Sequence, residues 1–127
     1  MKARTLVYVA GPYSPTAAQK EAGLQHREAV EQNIGRAESV GVAVAELGFF
    51  PVIPHANTAD ARFEKAQPYS FWIVGTDELL RRCDVLLTAP GWEQSSGARD
   101  EVRTAKSREM PVFHTIEDLE KWGLSVE

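Results

Sequence analysis

Cysteine is almost missing from this sequence, and the single example, Cys83, cannot close a disulfide within the chain. Its setting, Leu79-Leu80-Arg81-Arg82-Cys83-Asp84-Val85, reads as a buried structural thiol rather than a nucleophile. Histidine is also scarce. His26, His55 and His114 lie far apart without ligand spacing, so neither a metal nor another cofactor is expected. Basic runs are missing too: no run of Lys and Arg exceeds two, and the net charge is −4. A nucleic-acid polymer, which needs a clustered positive surface, is therefore not the expected partner. A free nucleotide needs only one or two donors and stays compatible with that charge. No apolar run is long enough to span a membrane, and the one after Met1-Lys2-Ala3-Arg4-Thr5 is too brief for a signal peptide. The expected setting is cytoplasmic, with no membrane partner.

Repeats, low-complexity tracts and linkers are absent, so residues 1–127 read as one domain of ordinary size. Leu6-Val7-Tyr8-Val9-Ala10 is a solid apolar run stopped by Gly11-Pro12, the pattern of a buried strand ending in a tight turn. Helical spacing of Ala29, Val30, Ile34, Ala37, Val40, Val44 and Leu47 predicts a helix over about 28–47, with Gly48 as its stop. A second strand is expected over 49–54, then a long polar loop over 54–68. Next come a helix over about 70–82, a strand over 85–87, and a turn-rich loop over 90–97. A helix over about 98–108, a strand at 112–113 and a helix over 116–122 complete the chain. Alternation of solid apolar strands with helices predicts an α/β fold: a three-layer, Rossmann-like (flavodoxin-like) parallel sheet of four to five strands with helices on both faces. Ligands of such sheets bind beyond the carboxyl ends of the strands. Those ends lead into residues 10–16, 54–68 and 88–97, so a site is expected there.

Two carboxylates occupy apolar stripes. Glu101 shares its helix face with Ala98, Val102 and Ala105, while Asp100 and Arg103 point elsewhere. Asp77 lies between Ile73 and Leu80 on the preceding helix. A buried carboxylate costs several kcal/mol unless it is satisfied, which marks both as functional candidates. Plainer explanations are that the macrodipole favours Glu101 near a helix start, and that Asp77 pairs with Arg81 four residues on. Ser95, Ser96 and Gly97 precede the helix of Glu101; they either offer backbone N–H groups to a ligand or simply cap the helix. Gly11, Pro12 and Tyr13 leave the first strand and His55 the second. Of the aromatics, Trp92 is the candidate to stack on a base.

Val9-Ala10-Gly11-Pro12-Tyr13-Ser14, Asp77-Glu78-Leu79-Leu80-Arg81-Arg82-Cys83-Asp84 and Gly91-Trp92-Glu93-Gln94-Ser95-Ser96-Gly97-Ala98-Arg99-Asp100-Glu101 resemble the nucleoside 2-deoxyribosyltransferase superfamily. The likeness is nearest to its small bacterial and phage members. It implies an enzyme acting on the base–sugar bond of a nucleoside or nucleotide. Glu101 would attack the anomeric carbon, a tyrosine at Tyr13 would orient it, and Asp77 would help protonate the departing base. The superfamily divides at the position of Ser95. Transferases on free nucleosides resemble one another in an aspartate there, whereas the 2′-deoxynucleoside 5′-phosphate N-hydrolases carry serine. That implies a nucleoside 5′-monophosphate as substrate and water as acceptor. The alternatives are base exchange on free nucleosides, and a non-catalytic nucleotide sensor. The basic stretch that N-hydrolases carry after the first strand has no counterpart here, since Ser14–Gln19 contains no arginine. The resemblance also implies a homodimer or higher homo-oligomer, with aromatics of the 63–72 region at the contact.

Overall fold

A computed structural model describes residues 2–126. Four parallel strands form one sheet: β1 (Leu6–Ala10), β2 (Phe50–Val52), β3 (Val85–Thr88) and β4 (Val112–Phe113), in the order β2-β1-β3-β4. The register pairs Tyr8 with Val52 on one side and with Leu86 on the other. Six helices accompany them: α1 (Ala17–Glu21), α2 (His26–Glu46), α3 (Ala61–Ala66), α4 (Tyr69–Arg81), α5 (Ser96–Ser107) and α6 (Ile116–Ser125). Short 3₁₀ turns occupy Lys2–Arg4, Pro54–Thr58 and Trp92–Gln94. No helix among the described residues is long and apolar enough to cross a membrane.

The strands read as solid apolar runs because both sheet faces are covered. Successive residues of β1 point to opposite faces. Val7 packs with Val44 of α2, Phe49 and Leu119 of α6, and Val9 packs with Ala37 of α2. Tyr8 and Ala10 face the other way, into a cluster with Leu80 of α4 and Val102 and Ala105 of α5. Helices α2 and α6 therefore cover one face, and α4 and α5 the other, giving the three-layer Rossmann-like arrangement. Cys83 lies in the second cluster; its thiol donates to the Leu79 carbonyl at 3.3 Å, and burial pushes its pKa up to about 11.

Two segments depart from the sequence expectation. The stretch expected as one loop over 54–68 contains a 3₁₀ turn and α3, whose start Asp60 caps by accepting from the Arg62 N–H. Such short pieces carry no readable periodicity. A further helix, α1, follows β1, capped by Thr16 with Gln19 reaching back in a capping box.

The strand order reverses between β1 and β3, since the chain runs from β1 out to β2 and returns past β1 to build β3. Beyond the carboxyl ends of these two strands the loops approach closely. A Cβ on Gly11 would stand 2.8 Å from the Ala89 Cβ, inside any tolerable contact, so glycine alone fits there. Gly91, at φ 87°, turns the β3 loop in the left-handed region and lies under the Pro12 ring.

Candidate active site

A cleft of about 590 Å³ opens at this switch point, within the size range of small-molecule sites. Tyr13, Ser14 and Pro15 form one wall, with Pro54 and His55 beside them. The start of α5 forms the second wall, and α4 with Glu64 of α3 the third.

Glu101 is presented into the cleft from the second turn of α5. The stripe that carries it is buried at Ala98, Val102 and Ala105, as the helical spacing predicts. Its Oε2 accepts a hydrogen bond from the Tyr8 hydroxyl, rising from the middle of β1. Burial pushes the Glu101 carboxyl up to about 7, Asp77 adds to that shift, and the Tyr8 hydrogen bond opposes it. Burial, with the Glu101 charge, raises the Tyr8 phenol further above its ordinary range. Tyr8 thus stays a hydrogen-bond donor at neutral pH.

Tyr8, not Tyr13, is the tyrosine that holds Glu101. The resemblance assigned that role to Tyr13, which the structure places at the mouth of the same cleft. Its hydroxyl donates to the Thr58 carbonyl at 3.3 Å and to Glu64 Oε2 at 3.2 Å. Tyr8 was hidden inside an apolar strand, yet a tyrosine there must find a partner for its hydroxyl, and that requirement was the available signal.

Asp77 also lines the cleft, one wall across from Glu101. Its carboxylate accepts from Arg81 Nε at 2.8 Å, the i+4 pairing that its position allows, and its side chain is 46% exposed. The stripe to which it belongs is buried at Leu80 and open at Ile73, because the upper turns of α4 face the cleft. An exposed, ion-paired carboxylate is poorly suited to deliver a proton.

Ser95, Ser96 and Gly97 all line the cleft, and both readings of them hold. Ser95 Oγ caps α5 by accepting from the Ala98 N–H at 3.1 Å, while the first turn of the helix faces the cavity. Gly11 lines the floor. Pro12 does not reach the cavity; its carbonyl receives His55 Nε2 at 2.9 Å. His55 lines the cleft while 94% buried, since only 6% of its surface is accessible. Burial lowers its pKa and keeps the ring neutral, so Nε2 donates and Nδ1 is left as an acceptor without a partner.

Trp92 is a correction. Its ring stacks on His114, with centroids 4.8 Å apart and planes within 10°, and it does not line the cleft. The aromatic walls are instead Tyr13, Tyr69 and Trp72. His114 Nδ1 further contacts Thr88 Oγ1 at 2.9 Å.

A buried amide pair supports the wall made by residues 13–15. Gln19 and Asn33, 4% and 2% exposed, bond reciprocally: Gln19 Nε2 donates to Asn33 Oδ1 at 2.8 Å, and Asn33 Nδ2 to Gln19 Oε1 at 3.2 Å. Asn33 Nδ2 also donates to the Tyr13 and Ser14 carbonyls at 3.0 and 3.2 Å, tying that wall to α2. Among the described residues, no group of three or more His, Cys, Asp or Glu is placed to hold a metal ion.

Four charged side chains line the cleft, Glu64, Asp77, Asp100 and Glu101, and all are acidic. Arg81 and Arg103 pair with Asp77 and Asp100 from outside the lining.

A family model described as a domain of unknown function, DUF1937, matches residues 5–117, which takes in every strand and every cleft-lining residue. No curated protein matches the chain, and no solved structure does.

Proposed function

The chain belongs to the DUF1937 family, and we propose that it is an N-glycosidase that cleaves the base–sugar bond of a nucleoside, with Glu101 as the group that meets the anomeric carbon. The observation that carries this reading is the Glu101–Tyr8 pair, a carboxylate enclosed at the floor of a nucleoside-sized cleft and fixed by a phenol that stays protonated. Glu101 Oε bonds to the anomeric carbon as the glycosidic C–N bond breaks and its electron pair leaves with the base. Water then attacks the same carbon, releasing the sugar and regenerating the carboxylate, and the proton that water gives up balances the one taken up by the departed base from solvent. Tyr8 orients Glu101. Asp77, held by Arg81, contacts sugar or base as a hydrogen-bond acceptor.

The 5′-monophosphate expected from Ser95 finds less support in the cleft. The start of α5 supplies N–H groups, but Ser95 Oγ already caps the helix, and no Lys or Arg lines the wall. Glu64 and Glu101 face the same space without an ion-pair partner at the lining, and a phosphate dianion would be repelled. A free 5′-hydroxyl suits this surface better. Base exchange, the second reading, uses the same covalent step with a second base in place of water. In either case the expected setting is cytoplasmic, and Phe63, Phe71 and Val74, all exposed, supply an apolar surface for a homodimer.

The test is release of free base from a panel of ribo- and deoxynucleosides, with and without 5′-phosphate, followed by mass spectrometry. Glu101→Gln should lower turnover at least about a hundredfold while leaving the fold intact. Addition of a second base separates transfer from hydrolysis. Absence of base release from the whole panel overturns the reading, and an intact ligand held tightly after long incubation points to a sensor.

A further inference from the structure

We propose that the cleft selects nucleosides whose base is positively charged, such as N-alkylated pyridinium or purinium nucleosides, so that the base departs neutral and needs no proton donor. The inference rests on the N-glycosidase reading and names its substrate class.

The first observation is the missing acid. Neutral bases leave readily only when protonated as the bond breaks. Of the titratable side chains facing the cleft, all but Tyr69, which stands 75% exposed at the rim, are otherwise engaged. Glu101 must be ionised to attack and cannot supply the proton in the same step. Asp77 and Asp100 are ion-paired with Arg81 and Arg103. Glu64 accepts from Tyr13, and the Tyr8 hydroxyl is committed to Glu101. His55 Nε2–H is committed to the Pro12 carbonyl, and burial keeps the ring neutral.

The second observation is what the cavity offers a ligand. Its charged groups are all carboxylates, no guanidinium or ammonium lines it, and three aromatic rings, Tyr13, Tyr69 and Trp72, form its walls. His55, nine-tenths buried at its edge, is neutral and adds no positive charge to the lining. Carboxylates beside aromatic faces attract a flat cation both by charge and by the ring quadrupole.

The two observations meet in the chemistry. As Glu101 Oε bonds to the anomeric carbon, the pair of the C–N bond moves onto the ring nitrogen and cancels its positive charge. The base leaves as a neutral molecule. Water then displaces the carboxylate from that carbon, and one proton passes to solvent. A cation bound beside Glu101 also favours its ionised form, offsetting the burial that pushes it up to about 7. The substrate thereby ionises its own nucleophile.

The experiment compares kcat/KM for nicotinamide riboside and 7-methylguanosine with that for inosine and uridine, each divided by its uncatalysed rate in the same buffer. In parallel, equilibrium dialysis measures binding of 1-methylnicotinamide and of nicotinamide to the wild-type chain. The expected result is at least about a tenfold advantage for the cationic nucleosides after normalisation, and tighter binding of 1-methylnicotinamide by a similar factor. Equal or faster cleavage of the neutral nucleosides overturns the inference and leaves the glycosidase reading standing. No cleavage of any nucleoside, with 1-methylnicotinamide still preferred, removes the glycosidase reading and upholds the cation selectivity of the cleft. No cleavage and no preference overturns both.

Discussion

The two faces of the sheet are built from the same strands but do different work. On the side of α2 and α6, Val7, Val44 and Leu119 form one apolar cluster and Val9, Ala37 and Ala89 another. On the side of α4 and α5, the same apolar packing around Leu80, Leu86 and Val102 is interrupted by Tyr8, whose hydroxyl meets Glu101. One residue step along β1 therefore separates a packing surface from the floor of a cleft. Both faces bury apolar side chains, and only the second also holds a carboxyl group, at a cost to folding.

That contrast can be broken from either side. The largest effect is expected on the closed face: Leu119→Ala removes a fully buried side chain and should cost about 2–5 kcal/mol in denaturant unfolding. Its effect on ligand binding at the cleft, measured at a temperature where the variant is still folded, should be small.

Next comes the open face, with the opposite sign. The Glu101 carboxyl titrates at about 7 in the folded chain, against an ordinary 4.5. The folded state thus binds this proton more tightly than the unfolded chain does. The resulting stabilisation is complete below 4.5 and is lost as pH rises through 7. Glu101→Gln should therefore be more stable than the parent at pH 8, by up to about 3 kcal/mol, and the two should converge near pH 4. A variant that is less stable at both pH values would place the burial cost elsewhere.

Activity should follow the same group. For a nucleophile that works ionised, kcat/KM should fall about tenfold per pH unit below about 7 and level off above it. A profile flat from pH 5 to 8 would separate the reaction from Glu101. The smallest effect belongs to the rim. Arg81→Ala breaks a half-exposed i+4 pair with Asp77 and should cost less than about 1 kcal/mol of stability. A larger stability loss would mean that α4 depends on that pair.

How far the sequence could be read differs in the same way between the two faces. The stripe of Ala98, Val102 and Ala105 needs only the helical period, and it brought Glu101 to the right side of α5. The i+4 pairing of Asp77 with Arg81 was equally legible, because it is local. Tyr8 was not. In a strand apolar on both faces, only the helices that cover each face decide what a side chain meets, and α5 lies about ninety residues further along the chain. Trp92 failed for a similar reason, since His114 reaches it only through the pairing of β3 with β4. Gln19 lay in a polar segment with no hydrophobic pattern to read, and Asn33, on the apolar stripe of α2 between Ala29 and Ala37, had no partner that local spacing could supply.

That buried amide pair also fixes when ordering entropy is lost. The wall of Tyr13 and Ser14 hangs from α2 before any ligand arrives, so a molecule seated there immobilises little new backbone. The facing wall, α3 and the start of α4, has no buried residue between Ala61 and Leu79, and any adjustment to a guest falls to it. A molecule seated in the cleft therefore meets a preorganised side, which sets its position, and a compliant side, which sets how large it can be.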